Sequence, residues 1–482
     1  MTLTGCGVAI ASPNADDPVP AEPTMINYVD PSLVAGLSTR TLSAGDSGGR
    51  RVHVVYPSLA DAPRLTEKLR RTVAGRLAEF TARHATSRAV PAHEFNVDWQ
   101  LAAVSAEAVG VRLRVGESVG SGWGESRTIV WYDRVDRRAM DSADLLKNRA
   151  ALAALATRVR SELAGRGAMV NANAVRPDPA MFDSIGFNPR GDLVVEFDDQ
   201  QVGHRAAGRV AVAVPSAEAE PLLSATGLRA RRAAVGTAEP RVAAPPREAL
   251  IAASTDKPPA RSTRAGSLDC AKLKCVALTY DDGPGPETGR LLDILAEYGA
   301  RATFFSLGSN AAAHPELLRR MRDEGHLVAN HTWSHRDLSA LSTAMIADQL
   351  TRAQHAITQS VGQVPTLMRP PYGMTDEQVA AVATRLGMSV VRWNVDSEDR
   401  DAPDPREIAR RVVDRAEPGA IILMHDVHGA TVDAAPEILR RLIDEGYTLV
   451  TVPELYGNRE MQPGRTYDSG PRDLPPEAQT MS

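Results

Sequence analysis

Cys275-Val276-Ala277-Leu278-Thr279-Tyr280-Asp281-Asp282-Gly283-Pro284 carries an apolar run into two adjacent carboxylates and stops on a Gly-Pro turn. From here the sequence alternates between two patterns. Short apolar runs fall near 275–280, 302–306, 327–330, 366–368, 389–395, 420–424 and 447–451. Helical spacing of apolar residues fills the gaps near 287–298, 309–323, 342–360, 376–386, 405–416 and 433–445. Strict alternation of this kind predicts parallel βα units, an α/β fold with about seven parallel strands in a distorted (β/α) barrel.

Polar residues collect at the ends of those strands. Asp281 and Asp282 end the first, His331 the third, Arg369 the fourth, Asp396 the fifth and His425 the sixth. In a βα barrel every strand opens at its carboxyl end on one face, where active sites are built. These residues are therefore expected to meet at one mouth. His331-Thr332-Trp333-Ser334-His335 sets two imidazoles at i and i+4, on one face of a helical turn. One carboxylate with two histidines leaves a metal position open for water. A second carboxylate beside that water is a ready general base. Taken singly, each residue has a duller reading. Paired Asp before Gly-Pro also makes a turn, two spaced histidines often only face solvent, and Arg369 also suits a structural ion pair.

The ordered set Thr279–Pro284, His331–His335, Arg369-Pro370-Pro371-Tyr372-Gly373, Asp396-Ser397-Glu398-Asp399 and Leu423-Met424-His425 resembles the five motifs of the polysaccharide deacetylases. These are the NodB-homology domains of carbohydrate esterase family 4, and the resemblance covers about 268–458. It implies one divalent metal, most often zinc, held by Asp282, His331 and His335. It implies Asp281 as the general base, oriented by Arg369, and the Tyr372 backbone N–H as an oxyanion donor. His425 would protonate the leaving amine with Asp396 fixing its ring, and Leu423, Pro371 and Tyr372 would contact substrate. One departure is visible: the fourth motif usually closes with Trp, whereas Arg400 follows Asp399 here. That changes the groove wall without removing a catalytic group. The implied activity is removal of acetyl groups from an N-acetylated glycan polymer, peptidoglycan foremost. Two alternatives stand beside it: an O-acetyl esterase on a xylan-like polymer, and a non-catalytic surface protein that binds glycan or lysozyme.

The rest of the 482-residue chain reads as support. A net charge of −5 gives no pull toward nucleic acid, and no apolar run approaches the roughly 18 residues of a membrane helix. Leu3-Thr4-Gly5-Cys6 resembles a bacterial lipoprotein box, although the first basic residue is Arg40; the alternative is a chance tetrapeptide. The implied location is the cell surface after export, with membrane contact only through a lipid on Cys6. Residues 1–37 read as this box and a Pro/Ala/Asp-rich tether, 225–267 as a Pro/Ala-rich linker and 461–482 as a disordered tail. Between tether and linker, 38–224 has α+β patterning, with strands near 52–56, 110–115, 128–132, 193–197 and 209–214 and helices near 65–82 and 145–163. Tyr56-Pro57, the helix after it, Gly191 to Phe197, Gly203 and Ala211 to Pro215 resemble the RsiV-type extracellular domain, one branch of which binds lysozyme. No acid, base or metal set converges in this part, and Asp198-Asp199 reads as a solvated turn, so chemistry is expected from 268–460 alone. Cys270 and Cys275 read as a disulfide closing a small loop, which implies an oxidising compartment, or as two free thiols; a zinc pair is disfavoured because the sequence has no second pair.

Overall fold

The computed structural model describes residues 24–236 and 268–471, apart from 27, 45–49, 86–91, 120–121, 168, 205–206, 208, 402–403 and 458. The lipobox-like tetrapeptide and the segment 237–267 lie outside the described residues. The amino-terminal domain begins earlier than composition indicates. Ile26 is buried in its core and the Val29 N–H donates to the Leu101 carbonyl, so 24–37 belongs to the domain and not to a tether.

Its first sheet runs in chain order: β1 (Leu37–Ala44), β2 (Arg50–Leu59), β3 (His93–Val104), β4 (Ala108–Val119), β5 (Gly122–Asp133) and β6 (Arg138–Asp141). Only β2 and β3 pair in parallel, because the helix Pro63–Arg83 crosses between them. Period-two alternation sorts β2 and β3 into two faces. Val52, Val54, Phe95 and Val97 share a core with Leu65, Leu69, Val73 and Phe80 of that helix. The other face carries Arg51, His53, Glu94, Asn96 and Asp98, and every one is buried. A polar sheet face is buried here because the carboxy-terminal domain lies against it. A smaller antiparallel sheet of β7 (Ile185–Phe187), β8 (Leu193–Phe197) and β9 (Val210–Val214) packs with the helices Arg149–Leu163 and Ala225–Gly236. The last of these falls in the expected linker, yet it buries Ala230, Ala233 and Ala234. Its apolar face is mostly alanine, with Leu228 packed beside it, which is why the scarcity of large side chains misleads. Asp198 and Asp199 likewise accept the Arg127 and Glu125 backbone N–H groups and tie the domain together.

The second domain is the parallel βα fold. β10 (Cys275–Asp281), β11 (Thr303–Ser306), β12 (Leu327–Asn330), β13 (Leu367–Met368), β14 (Ser389–Val391), β15 (Val395–Asp396), β16 (Ile421–His425), β17 (Thr448–Val450) and β18 (Thr466–Tyr467) form one nine-stranded sheet. Its order is β15-β16-β10-β11-β12-β13-β14-β18, with β17 also on β10. The stretch 389–396 starts beside β13 and ends beside β16, which wraps the sheet into a distorted barrel. The helix expected over 309–323 breaks at His314, because Pro315 disfavours helical backbone in the residue before it. Described residues after 461 are not a loose tail: β18 pairs with β14, and Asp468 bridges Arg392 at 2.6 Å. Cys270 and Cys275 form a disulfide with Cα atoms 5.5 Å apart, at the start of β10. No helix among the described residues is long and apolar enough to cross a membrane.

Candidate active site

Loops at the carboxyl ends of the barrel strands hold unusual backbone. Asp282, Thr332, His335, Tyr372 and Glu398 all have left-handed φ, from 54° to 73°. Such residues are sparse elsewhere in proteins and persist where surroundings over-determine them. Gly283 follows Asp282 because a Cβ there would lie 2.1 Å from Asp426 Oδ2. The turn after β10 is thus pressed against the turn after β16.

Asp282 Oδ1 lies 3.5 Å from His331 Nε2 and 3.4 Å from His335 Nε2. His331 Nδ1 sits 2.8 Å from the Arg369 carbonyl, and donating its proton there leaves the Nε2 lone pair aimed at Asp282. Both Asp282 oxygens, His331 Nε2 and both His335 nitrogens are buried without a hydrogen-bond partner. Each orphan of this kind costs about 1–3 kcal/mol, and three of them, Asp282 Oδ1, His331 Nε2 and His335 Nε2, face one point and need a common partner. A divalent cation satisfies them, and an oxygen with two imidazole nitrogens is a donor set that zinc accepts. Burial works to raise the Asp282 carboxyl, but the His335 and His53 imidazoles outweigh it and hold it well below the usual range. Burial, with His53 adding to it, lowers His335. Both shifts keep the groups in the deprotonated form that a metal requires.

Asp281, the neighbouring carboxylate, faces the other way around the strand end. Its Oδ1 accepts from Arg369 Nη1 at 2.8 Å, and the same nitrogen donates to Thr279 Oγ1 at 2.7 Å. Arg369 is fully buried, its guanidinium 4.2 Å from the Phe305 ring centroid and 5.5 Å from that of Trp393. Asp281 Oδ2 points back to His331 Nε2 at 3.7 Å. The two adjacent carboxylates therefore occupy different environments: one is ion-paired and the other is empty-handed.

His425 ends β16, in register with Asp281. The orienting group expected for it was Asp396; the structure assigns that contact to Asp399. His425 Nδ1 lies 2.7 Å from Asp399 Oδ1, while the His425 backbone N–H and Thr431 Oγ1 donate to Asp399 Oδ2 at 2.8 Å and 2.7 Å. Asp396 instead caps the turn, accepting the Glu398 N–H at 2.8 Å. The chain turns through left-handed Glu398 before reaching the ring, so the strand-end residue stops short and the third residue on arrives. Burial and Arg400 lower His425, but Asp399 prevails and the ring is raised above its ordinary value. Arg400 Nη2 is 2.6 Å from His425 Nε2 and its Nε 3.0 Å. An arginine can only donate, so Nε2 presents a lone pair in this arrangement. Around the rim, Leu423 and Pro371 are buried, and the Tyr372 ring stands edge-on to His335 with centroids 4.7 Å apart.

The amino-terminal domain also reaches this site, against expectation. His53 of β2 stacks on His335 with centroids 4.1 Å apart, and its Nδ1 lies 4.0 Å from Asp282 Oδ2. Ligand atoms of His53, Asp282 and His335 all fall within 4.8 Å of one another. Nothing local in Val52-His53-Val54-Val55 signals this role.

Residues 269–391 match the family model for polysaccharide deacetylase. The chain is 40% identical over 195 residues to the peptidoglycan-N-acetylglucosamine deacetylase PgdA of Listeria monocytogenes, a match covering 40% of this chain and 41% of that protein. It is 43% identical over 183 residues to the peptidoglycan-N-acetylmuramic acid deacetylase PdaC of Bacillus subtilis, covering 38% of each. With the chitooligosaccharide deacetylase of Bradyrhizobium sp. the identity is 42% over 160 residues, covering 33% of this chain and 73% of that protein. The chain spans about two fifths of the length of the first two relatives.

Proposed function

We propose the following function for this chain, which belongs to the polysaccharide deacetylase family: hydrolytic removal of acetyl groups from N-acetylglucosamine units of a cell-wall glycan, peptidoglycan above all. The observation that carries this reading is the meeting, on one barrel rim, of an orphaned Asp282–His331–His335 set, an arginine-held carboxylate and an aspartate-held imidazole. A divalent ion, zinc by its donor set, would be held by Asp282, His331 and His335 and would supply Lewis acidity toward water and the amide carbonyl. Asp281, aimed by Arg369, takes the proton from the attacking water. The Tyr372 backbone N–H serves the developing oxyanion, and Leu423 with Pro371 walls the methyl group. His425 then gives a proton from Nε2 to the leaving nitrogen as the C–N bond breaks, with Asp399 holding its Nδ1–H. The products are acetate and a free amine on the glycan. Because Arg400 occupies Nε2 in the arrangement described, turnover requires that guanidinium to withdraw. The protein would act at the cell surface after export.

Acetate release from N-acetylglucosamine oligomers and from acetylated xylan, side by side, tests the reading. Release from the oligomers that Asp281→Asn abolishes is the expected result. Release from xylan alone would replace the amidase with an O-acetyl esterase, and no release from either, by the full chain and by R51A/N96A alike, would leave a binding protein.

A further inference from the structure

The polar face of the first sheet does not meet water; it meets the candidate metal site. Arg51 Nη1 bridges Asp337 at 2.6 Å, two residues beyond His335. Asn96 Nδ2 donates to the Ser334 carbonyl at 2.8 Å and to that of His335 at 3.3 Å. Glu94 accepts the Asp337 N–H at 3.1 Å, and the Arg336 guanidinium lies 3.8 Å over the Trp123 ring. The loop carrying both histidine ligands is thus gripped along its length by β2, β3 and β5. His53 stands in the middle of that grip, fully buried, with neither ring nitrogen hydrogen-bonded among the described residues. A buried histidine kept only for packing would normally satisfy at least one nitrogen. His53 satisfies neither, and the unpartnered Asp282 oxygens and His335 nitrogens beside it are the candidate ligands of the barrel itself.

We infer that His53 is a further protein donor to this metal site, and that the amino-terminal domain is an inhibitory lid holding the site closed against its glycan. The inference rests on the reading of Asp282, His331 and His335 as metal ligands. Two observations extend it from ligand to lid. Asp281, Asp282, His331, His335 and His425 are each at most 1% exposed, so no polymer reaches them in this arrangement. Ion pairs and hydrogen bonds from Arg51, Glu94 and Asn96 cross the covering interface, and Leu307 and Ala313 of the barrel pack into the first sheet's apolar cluster. Polar contacts of that kind are typical of separable interdomain interfaces, so the sheet can lift from the 334–337 loop. Lifting it withdraws His53, releases the 331–337 loop from Arg51 and Asn96, and opens the rim to a glycan strand.

The full chain loaded with zinc gives the test, read without reference to turnover. X-ray absorption at the zinc edge should count imidazoles from His53, His331 and His335, and His53→Phe, which keeps a stacked ring, should lose one of them. Zinc affinity in that variant should fall by at least about tenfold, the scale on which even outer partners of metal ligands act. An unchanged imidazole count and affinity would overturn His53 as a donor. For the lid, zinc removal by a chelator should be slow in the full chain and at least about tenfold faster in R51A/N96A, whose ligands are all intact. Equal removal rates, with circular dichroism showing both proteins folded, would overturn the closed form. Zinc that survives His331→Ala with His335→Ala would overturn the metal-site reading itself, and with it the inference; zinc lost in that pair but indifferent to His53 would overturn the inference alone.

Discussion

Replacing Asp399 by Asn separates the two candidate partners of His425. The carboxylate accepts three hydrogen bonds, from His425 Nδ1, the His425 N–H and Thr431 Oγ1, all at 2.7–2.8 Å. An amide keeps one acceptor oxygen and turns the other into a donor, so at least one of these contacts becomes donor against donor. Charge-assisted bonds contribute about 1.5–3 kcal/mol each. Losing about 2 kcal/mol from the protonated ring alone lowers its pKa by roughly 1.5 units and, on the alkaline side, its protonated fraction by roughly 30-fold at fixed pH. The sign follows from the site: burial and Arg400 push His425 down and Asp399 holds it up. Without Asp399 the proton is lost at lower pH, so the alkaline limb of the kcat profile moves toward acid by about 1.5 units. Asp396→Asn, at a residue that only caps the Glu398 N–H, should leave the limb in place and turnover within about twofold. Acetate release from soluble oligomers across pH 5–10, with zinc content checked for each variant, measures both. Equal losses in the two variants, or an unmoved alkaline limb in Asp399→Asn, would refute the assignment.

Asp281→Asn should keep its zinc and lose about 10²–10⁴ in turnover, since it removes a base, whereas Asp282→Asn should lose the zinc; elemental analysis beside kinetics distinguishes them, and identical behaviour would defeat the division of roles. Thiol counting on unreduced protein should find no free thiol at Cys270 or Cys275, and Cys270→Ser should lower stability by about 2 kcal/mol for so short a loop. Burial, with Arg301 and Arg320 adding to it, lowers His326 to about 4, and its Nδ1 accepts the Ala302 N–H at 3.2 Å. A ring whose folded pKa lies below its unfolded value contributes stability that is whole above about pH 6.5 and is lost as pH falls toward 4, a difference of about 3 kcal/mol. Denaturant melts of the wild type and His326→Gln at pH 7 and pH 4.5 should show a smaller acid loss in the variant, and parallel losses would remove His326 from the account.

The barrel is legible because its physics is local. Each strand from β10 to β17 is a short apolar run, each intervening helix has one apolar stripe, and Gly or Pro marks the turns. What escapes is where a strand changes partner. Val390-Val391-Arg392-Trp393-Asn394-Val395 reads as one run, yet its first half bonds to β13 and its second to β16. Nothing in six residues can encode which neighbour lies beside them, because that depends on closure of the whole sheet. β3 fails for another reason and is absent from the expected strands. Glu94 to Leu101 alternates polar and apolar residues, a regular strand pattern without the continuous apolar run that marks the barrel strands.

Site residues divide in the same way. Asp281, Asp282, His331, His335, Arg369 and His425 sit at strand ends or within a turn of them, so mapping the strands places them together. Asp399 sits three residues past a strand end, beyond a left-handed residue whose φ cannot be read from glutamate. His53 is harder still, since a lone histidine among valines is most simply a core residue. Its meaning appears only when the period-two register of β2 and β3 is laid out, because Arg51, His53, Glu94 and Asn96 then share one face. An exposed polar face is what a mostly antiparallel sheet ordinarily presents to water. Here the face is buried, and burying so many polar groups is stable only if they find partners. Arg51, Glu94 and Asn96 find theirs on the 334–337 loop, and His53 alone among the four does not. His53 Nδ1 and Asp282 Oδ2, both without a hydrogen-bond partner, therefore come within 4.0 Å of each other across two domains that composition alone would keep apart.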